Sequence, residues 1–290
     1  GVRAEVVLAT VALGAYAFLK SGRIPKAFAV SLAAYALFFI LGTLPSWLTI
    51  GFLSLSKNIL AVGPADIAAL FLTPDTVFAR PINDVRSVLN IKMSLVLGIA
   101  TLIIGEATLY RYRPVHFWAL LRNARFPQIF YHSDLLLLGM GLALLYAPAM
   151  FSFGIFDVFA LLSLLAAVAC AWIASVVTND IFDLGIDQRT NPSRPLVLQT
   201  IPEATYRAYG LLFFLFSLLL SGLVSFSAML LLLGYQAVAW VYSAPPLRLK
   251  RFPLIATGLA GFAGILVLFA GYVAAASAQS IRTLPLPLGL

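Results

Sequence analysis

Apolar residues run along the chain in long uninterrupted stretches, and polar residues are confined to the gaps between them. Reading from gap to gap predicts helices over about 4–19, 27–45, 93–110, 128–150, 156–178, 206–223, 226–243 and 253–275. These runs approach the roughly 20 residues a helix needs to cross about 30 Å of hydrocarbon. They lack the alternation of a membrane β-barrel strand. The stretch 46–92 is ambiguous: apolar pieces at Trp47–Leu55 and Ile59–Leu72 are broken by Lys57, Pro64, Pro74 and Pro81. It is compatible with two crossings, a re-entrant hairpin or a surface segment. The expected fold class is all-α, a polytopic transmembrane helix bundle.

Composition agrees with the pattern. Of the 290 residues, 62% are hydrophobic and only 10% charged, whereas soluble domains carry about 25% charged residues. So little charge cannot cover a water-facing surface, which excludes a soluble enzyme and a disordered regulator. One cysteine, Cys170, sits inside an apolar run, so a disulfide scaffold is excluded too. The net charge of +8 has its simplest source in the positive-inside bias of membrane proteins. No arginine-rich run points to nucleic acid, which is not an expected partner.

Thirteen of the 19 basic residues fall in four loops: Lys20, Arg23 and Lys26; Arg111, Arg113, Arg122 and Arg125; Arg189, Arg194 and Arg207; Arg248, Lys250 and Arg251. All four loops lie on one side if 46–92 crosses an even number of times, zero included, and that side is expected to be cytoplasmic. Composition shifts near Arg111. Residues 1–110 read as an N-terminal membrane module of three or more helices with little polar chemistry, and 111–290 as a second module with polar loops.

The polar chemistry concentrates after the run 156–178. Asn179, Asp180, Asp183 and Asp187 form Asn-Asp-Ile-Phe-Asp-Leu-Gly-Ile-Asp. At about 100° per residue, all four point into one quadrant of a helix. Carboxylates so close repel one another unless a cation intervenes. Mg²⁺ takes hard oxygen ligands and is commonly held by one or two carboxylates together with substrate phosphates. Arg194 follows in Asn-Pro-Ser-Arg-Pro-Leu, placed to return to the cluster. A second polar segment, Tyr242-Ser-Ala-Pro-Pro-Leu-Arg-Leu-Lys-Arg251, has Pro245 and Pro246 to stop its helix. It presents Arg248, Lys250 and Arg251 on the same membrane face.

These residues resemble the UbiA superfamily of intramembrane aromatic prenyltransferases. The first aspartate-rich motif of that family, Asn-Asp-x-x-Asp-x-x-x-Asp, is matched by Asn179, Asp180, Asp183 and Asp187. Arg194-Pro-Leu and the turn from Tyr242 to Lys250 fit its later pattern, the turn with a flavour of chlorophyll synthase-like members. The resemblance covers roughly 115–275, beginning near Leu121-Arg-Asn-Ala-Arg-Phe126. It implies Mg²⁺-dependent transfer of a prenyl group from a prenyl diphosphate to a hydrophobic acceptor. Asn179, Asp180 and Asp183 would hold the metal and Asp187 complete its shell. Arg194, Arg248 and Lys250 would neutralise phosphate oxygens, and Tyr242 would line the site. The family's second aspartate motif does not occur before residue 290. With Gly1 at its start, the chain is expected to be part of a longer protein, holding about the first five family helices.

Other features are weaker. Glu106 and Asp134 fall in or near predicted spans, where carboxylates suggest ion paths or interfacial anchors. Gly258, Gly261 and Gly264 predict close helix packing. His116 and His132 build no metal motif, and no Walker loop, Gly-x-Gly-x-x-Gly, Ser-His-Asp set or Cys-x-x-Cys occurs. Competing readings are an ion or solute transporter and a catalytically inactive family member acting as an assembly subunit. Acceptor, tail length and oligomeric state are left open.

Overall fold

The computed structural model describes residues 2–54, 58–73, 85–146 and 154–276. Within them the chain is helical, with no strand. The α-helices are α1 (Val2–Ser21), α2 (Ile24–Leu53), α3 (Pro64–Phe71), α4 (Val85–Tyr112), α5 (Pro114–Asn123), α6 (Phe126–Tyr146), α7 (Ile155–Thr190), α8 (Glu203–Val224), α9 (Phe226–Ser243) and α10 (Pro253–Ala275). Eight of them are long and apolar enough to cross a membrane: α1, α2, α4 and α6 to α10. They coincide with the eight runs read from the sequence, and the protein is a multi-pass integral membrane protein.

The chain forms two compact units, 1–73 and 74–290. In the first, α1 and α2 pack as a hairpin turned at Gly22, whose φ of +63° suits glycine. Ser31 donates from α2 to the Thr10 carbonyl at 3.3 Å. The sequence ends the second run at Pro45, yet α2 continues through it to Leu53. A proline removes one backbone hydrogen bond, a loss that apolar surroundings tolerate better than an opened helix end. Of the ambiguous stretch, α3 has only 8 residues, about 12 Å, too short to cross. Residues 74–84 lie outside the described residues, as does the last turn of the run ending at 150.

In the second unit, α4 packs against α5, α7 and α8. The fourth helix, which the sequence reading grouped with the N-terminal module, thus sits with the segment that carries the polar motifs. The central element is α7. Its 36 residues span about 54 Å, well beyond a hydrocarbon core, so its last turns project as a platform for Asn179 to Asp187. Gly154 N–H donates to Asp157 at 2.7 Å at its start. Outward faces remain apolar: Leu211, Leu215 and Leu219 of α8 are exposed, while Ser217, Leu220, Ser221 and Val224 are buried. A helix apolar on its outer face is one solvated by lipid.

Glycines fix two close approaches. A Cβ on Gly139 would strike the Leu268 carbonyl, and one on Gly271 the Leu136 carbonyl, so α6 and α10 meet backbone to backbone. The stripe expected to do this packing behaves otherwise. Gly258 and Gly261 have open space where a Cβ would stand, and only Gly264 is in contact, with Leu135 and Tyr131. The α10 face that touches α6 is set by Gly271, a residue the periodicity of the stripe did not include. Between α7 and α8, a Cβ on Gly210 would stand 2.6 Å from a Val177 methyl. That approach brings Tyr206, one turn earlier on α8, to Asp180.

Candidate active site

The projecting end of α7 gathers charged groups from three connections. Its polar residues divide into two rows. Positions 180 and 187 are two turns apart on one row and both face Arg194. Arg194 Nη1 pairs with Asp180 Oδ1, and its Nε lies 3.8 Å from Asp187 Oδ2. Asp180 is 1% exposed and its other oxygen accepts from Tyr206 Oη at 2.9 Å and Asn123 Nδ2 at 2.6 Å. Asn123 also donates to Tyr206 Oη at 2.9 Å. Asp187 Oδ1 accepts from Asn191 Nδ2 at 2.8 Å. Behind this row lies an apolar cluster of Leu120, Val177, Leu196, Ile201 and Tyr206, which seats α5 and the 191–202 loop on α7 and α8.

The second row is Asn179 and Asp183, one turn apart. Lys250 Nζ donates to both, to Asn179 Oδ1 at 2.8 Å and to Asp183 Oδ2. Arg248 Nη2 donates to Asp183 Oδ1 at 2.6 Å, and Ser243 Oγ to Asn179 Oδ1 at 3.2 Å. These cations come from the turn after α9, where Pro245–Pro246 is a cis peptide and Arg248 has φ +39°. A left-handed non-glycine residue is costly, and such strain concentrates at functional sites. Arg125, between α5 and α6, has φ +54° as well.

Arg125 completes the site and was not singled out in the sequence. Its Nη2 lies 3.6 Å from Asp180 Oδ1, and its pKa is lowered by burial first and by the like charge of Arg194 second. An arginine nevertheless stays charged. Four cations (Arg125, Arg194, Arg248, Lys250) thus face three carboxylates, leaving one positive charge in excess.

Two buried side-chain atoms here lack a hydrogen-bond partner: the acceptor Asp187 Oδ2 and the donor Arg125 Nη2. Buried polar atoms are ordinarily satisfied, so the pair fits a ligand that brings both a cation and acceptor oxygens. The donor chemistry fits Mg²⁺. Asn179 and Asp183 converge their oxygens on one cationic point, filled here by the Lys250 ammonium, and hard oxygen donors suit that ion. Among the described residues no group of three or more His, Cys, Asp or Glu side chains forms a protein-only metal cage. Mg²⁺ characteristically does without one, taking the balance from water and phosphate.

Arg125, Asn179, Tyr242 and Ser243 also line a cavity of about 560 Å³, of the size that holds a small organic ligand. It runs between α6, α7, α9 and α10, and Tyr131, His132, Trp172, Val176, Tyr235 and Val238 form much of its wall. The structure therefore brings all eight sequence-selected residues to one end of the second unit. Asn123, Arg125, Tyr206 and Ser243 join them; of these, Asn123 and Arg125 lie in the segment Leu121–Phe126 where the resemblance begins. His116 is elsewhere, 2.9 Å from the Tyr209 hydroxyl, and Asp134 is exposed on α6.

No curated protein and no solved structure matches the chain. The model of the UbiA prenyltransferase family matches residues 135–290, more than half of the chain. That match takes in α7 with its two polar rows and the cationic turn after α9, and the chain belongs to the UbiA prenyltransferase family.

Proposed function

We propose that the protein is a Mg²⁺-dependent prenyltransferase that moves a prenyl group from a prenyl diphosphate to a hydrophobic acceptor, with the polar loops on the cytoplasmic side. One observation carries this reading: a cation-rich carboxylate cluster with unsatisfied polar atoms opens into a largely apolar cavity within a membrane bundle. That is the shape of a substrate with an anionic head and a hydrocarbon tail.

Asn179 and Asp183 would hold Mg²⁺, with Lys250 moving from them to a phosphate oxygen. When bound, the ion supplies charge neutralisation for the leaving diphosphate. Arg125, Arg194 and Arg248 present guanidiniums that suit phosphate oxygens bidentately. Asp180, fixed by Asn123 and Tyr206, holds Arg194 at its post, and Asp187 faces the same guanidinium and offers its free oxygen to the cation shell. The tail lies along the cavity wall, where Tyr131, Trp172, Tyr235 and Tyr242 offer aromatic faces to positive charge developing on the allylic carbon. The lipid and protein walls keep water from that carbon.

The test is turnover. The chain reconstituted in nanodiscs, given Mg²⁺ and labelled prenyl diphosphates of several lengths, should release diphosphate and form a prenylated lipid-soluble product. Asp183→Asn should abolish both while the protein stays folded. Retained Mg²⁺-dependent turnover in that variant overturns the reading. A wild type inert toward every prenyl diphosphate would favour an assembly subunit instead.

A further inference from the structure

One of the four cations at the site differs from the rest. Arg194, Arg248 and Lys250 each donate to a side-chain oxygen of α7, so each must leave a protein partner before it meets a phosphate. Arg125 Nη2 is buried without a hydrogen-bond partner, and the Asp180 oxygen 3.6 Å from it is too distant to serve as one. It is a donor set out in advance for an acceptor that comes from elsewhere. With no hydrogen bond at that nitrogen to hold it, the guanidinium takes its position from the backbone beneath it.

That backbone is a strained corner. α5 stops at Asn123, Ala124 caps it, and Arg125 turns left-handed at φ +54° before α6 starts at Phe126. Glycine takes such a turn freely and arginine does not, so the conformation persists only where its neighbours dictate it. Neighbours act on both sides of the turn. Asn123 Nδ2 donates to Asp180 Oδ2 at 2.6 Å and to Tyr206 Oη at 2.9 Å. Trp172 Nε1–H donates to the Ala124 carbonyl at 2.8 Å. Carbonyls at a helix C-terminus have no intrahelical partner, and this one is satisfied by a side chain of α7. Ala124 is buried, which leaves little room for water to replace the indole. Trp172 stands seven residues before Asn179, two turns or about 10 Å inward on the same row of α7. The indole thus ties the corner to the helix that carries Asn179 and Asp183.

We propose that Trp172 is a positioning residue: by holding the Ala124 carbonyl, its indole N–H fixes the left-handed corner and aims the Arg125 guanidinium at the diphosphate. The inference rests on the prenyl-diphosphate reading above. It gives the indole nitrogen a task separate from the aromatic face that the ring offers to the cavity. A guanidinium placed before the ligand arrives loses little freedom on binding, so affinity for the diphosphate head follows the order of the corner. Without the N–H, Arg125 relaxes toward ordinary backbone angles and its guanidinium leaves the phosphate.

The experiment titrates inorganic diphosphate with Mg²⁺ into the reconstituted chain, read by calorimetry, for wild type, Trp172→Phe, Arg125→Gln and the double variant. Phenylalanine keeps an aromatic face and lacks the donor. Each single variant should weaken binding by about tenfold. The double variant should bind within about twofold of Arg125→Gln alone, because Trp172 acts only through Arg125. A general structural loss would instead weaken binding equally in both backgrounds, so a further loss of about tenfold in the double variant overturns the proposal. Binding by either single variant within about twofold of wild type overturns it as well. If Trp172→Phe does not fold, 3-benzothienylalanine at position 172 keeps the bicyclic outline with sulfur in place of N–H. It should show the same loss of about tenfold, and binding within about twofold of wild type overturns the proposal. In each of these outcomes wild type binds diphosphate, whereas a wild type that binds none overturns the prenyl-diphosphate reading and this inference with it.

Discussion

The two polar rows on the end of α7, Asp180 with Asp187 and Asn179 with Asp183, come from one motif a few positions apart, yet they are held in different ways. Asp180 is almost wholly buried and locked by neutral donors from α5 and α8, with Arg194 and Arg125 beside it. Asp183 is held by the ends of two long cationic side chains, Arg248 and Lys250, from one turn. A row tied to short, packed groups keeps its geometry through a reaction cycle. A row neutralised by flexible cations can exchange them for a metal ion and release them to a phosphate. The difference teaches that one aspartate-rich motif can divide into a scaffold row and an exchange row.

The largest effect should come from the scaffold. Asp180→Ala leaves Arg194 without its buried partner, and such losses cost about 3–5 kcal/mol; thermal unfolding in detergent should show it, with turnover lost through instability. Asp183→Asn should do the reverse: unfolding little changed and turnover lost, a fall of at least about 10³-fold, read with labelled prenyl diphosphate. Tyr206→Phe removes one hydrogen bond to a buried carboxylate, worth about 1.5–3 kcal/mol, and should lower the unfolding temperature while sparing divalent-ion binding. Smallest is Lys250→Met. It removes the cation that competes for Asn179 and Asp183, so Mn²⁺ should bind about fivefold more tightly in the absence of diphosphate, measured by titration. Matching losses of stability in the Asp180 and Asp183 variants would erase the distinction between rows.

Much of this was legible in the chain itself. Lipid demands long apolar runs, so the eight spans stand out, and the motif spacing marks the platform; the ends were less legible, since α2 runs on to Leu53, α4 starts at Val85 and α7 continues to Thr190. The partition of that motif was not legible. Residues 179, 180, 183 and 187 share a quadrant of one helix, and only the approach of α8 at Gly210 and the path of the 191–202 loop decide which row meets Tyr206 and Arg194. Pro45 misled because its usual penalty assumes water. His132 stands in no motif in the sequence, and its place in the cavity wall comes only from the packing of α6, α7 and α9. Arg125 was visible as a loop cation, but its left-handed backbone and its reach to Asp180 are products of the packed α5–α6 corner.

The most direct test of the account is Mn²⁺ binding followed by electron paramagnetic resonance on the reconstituted chain, with and without inorganic diphosphate. Wild type should bind the ion, more tightly with diphosphate present; Asp183→Asn should lose binding and Tyr206→Phe should keep it. Equal binding by wild type and Asp183→Asn would contradict the assignment of Asn179 and Asp183 as the row that holds the metal.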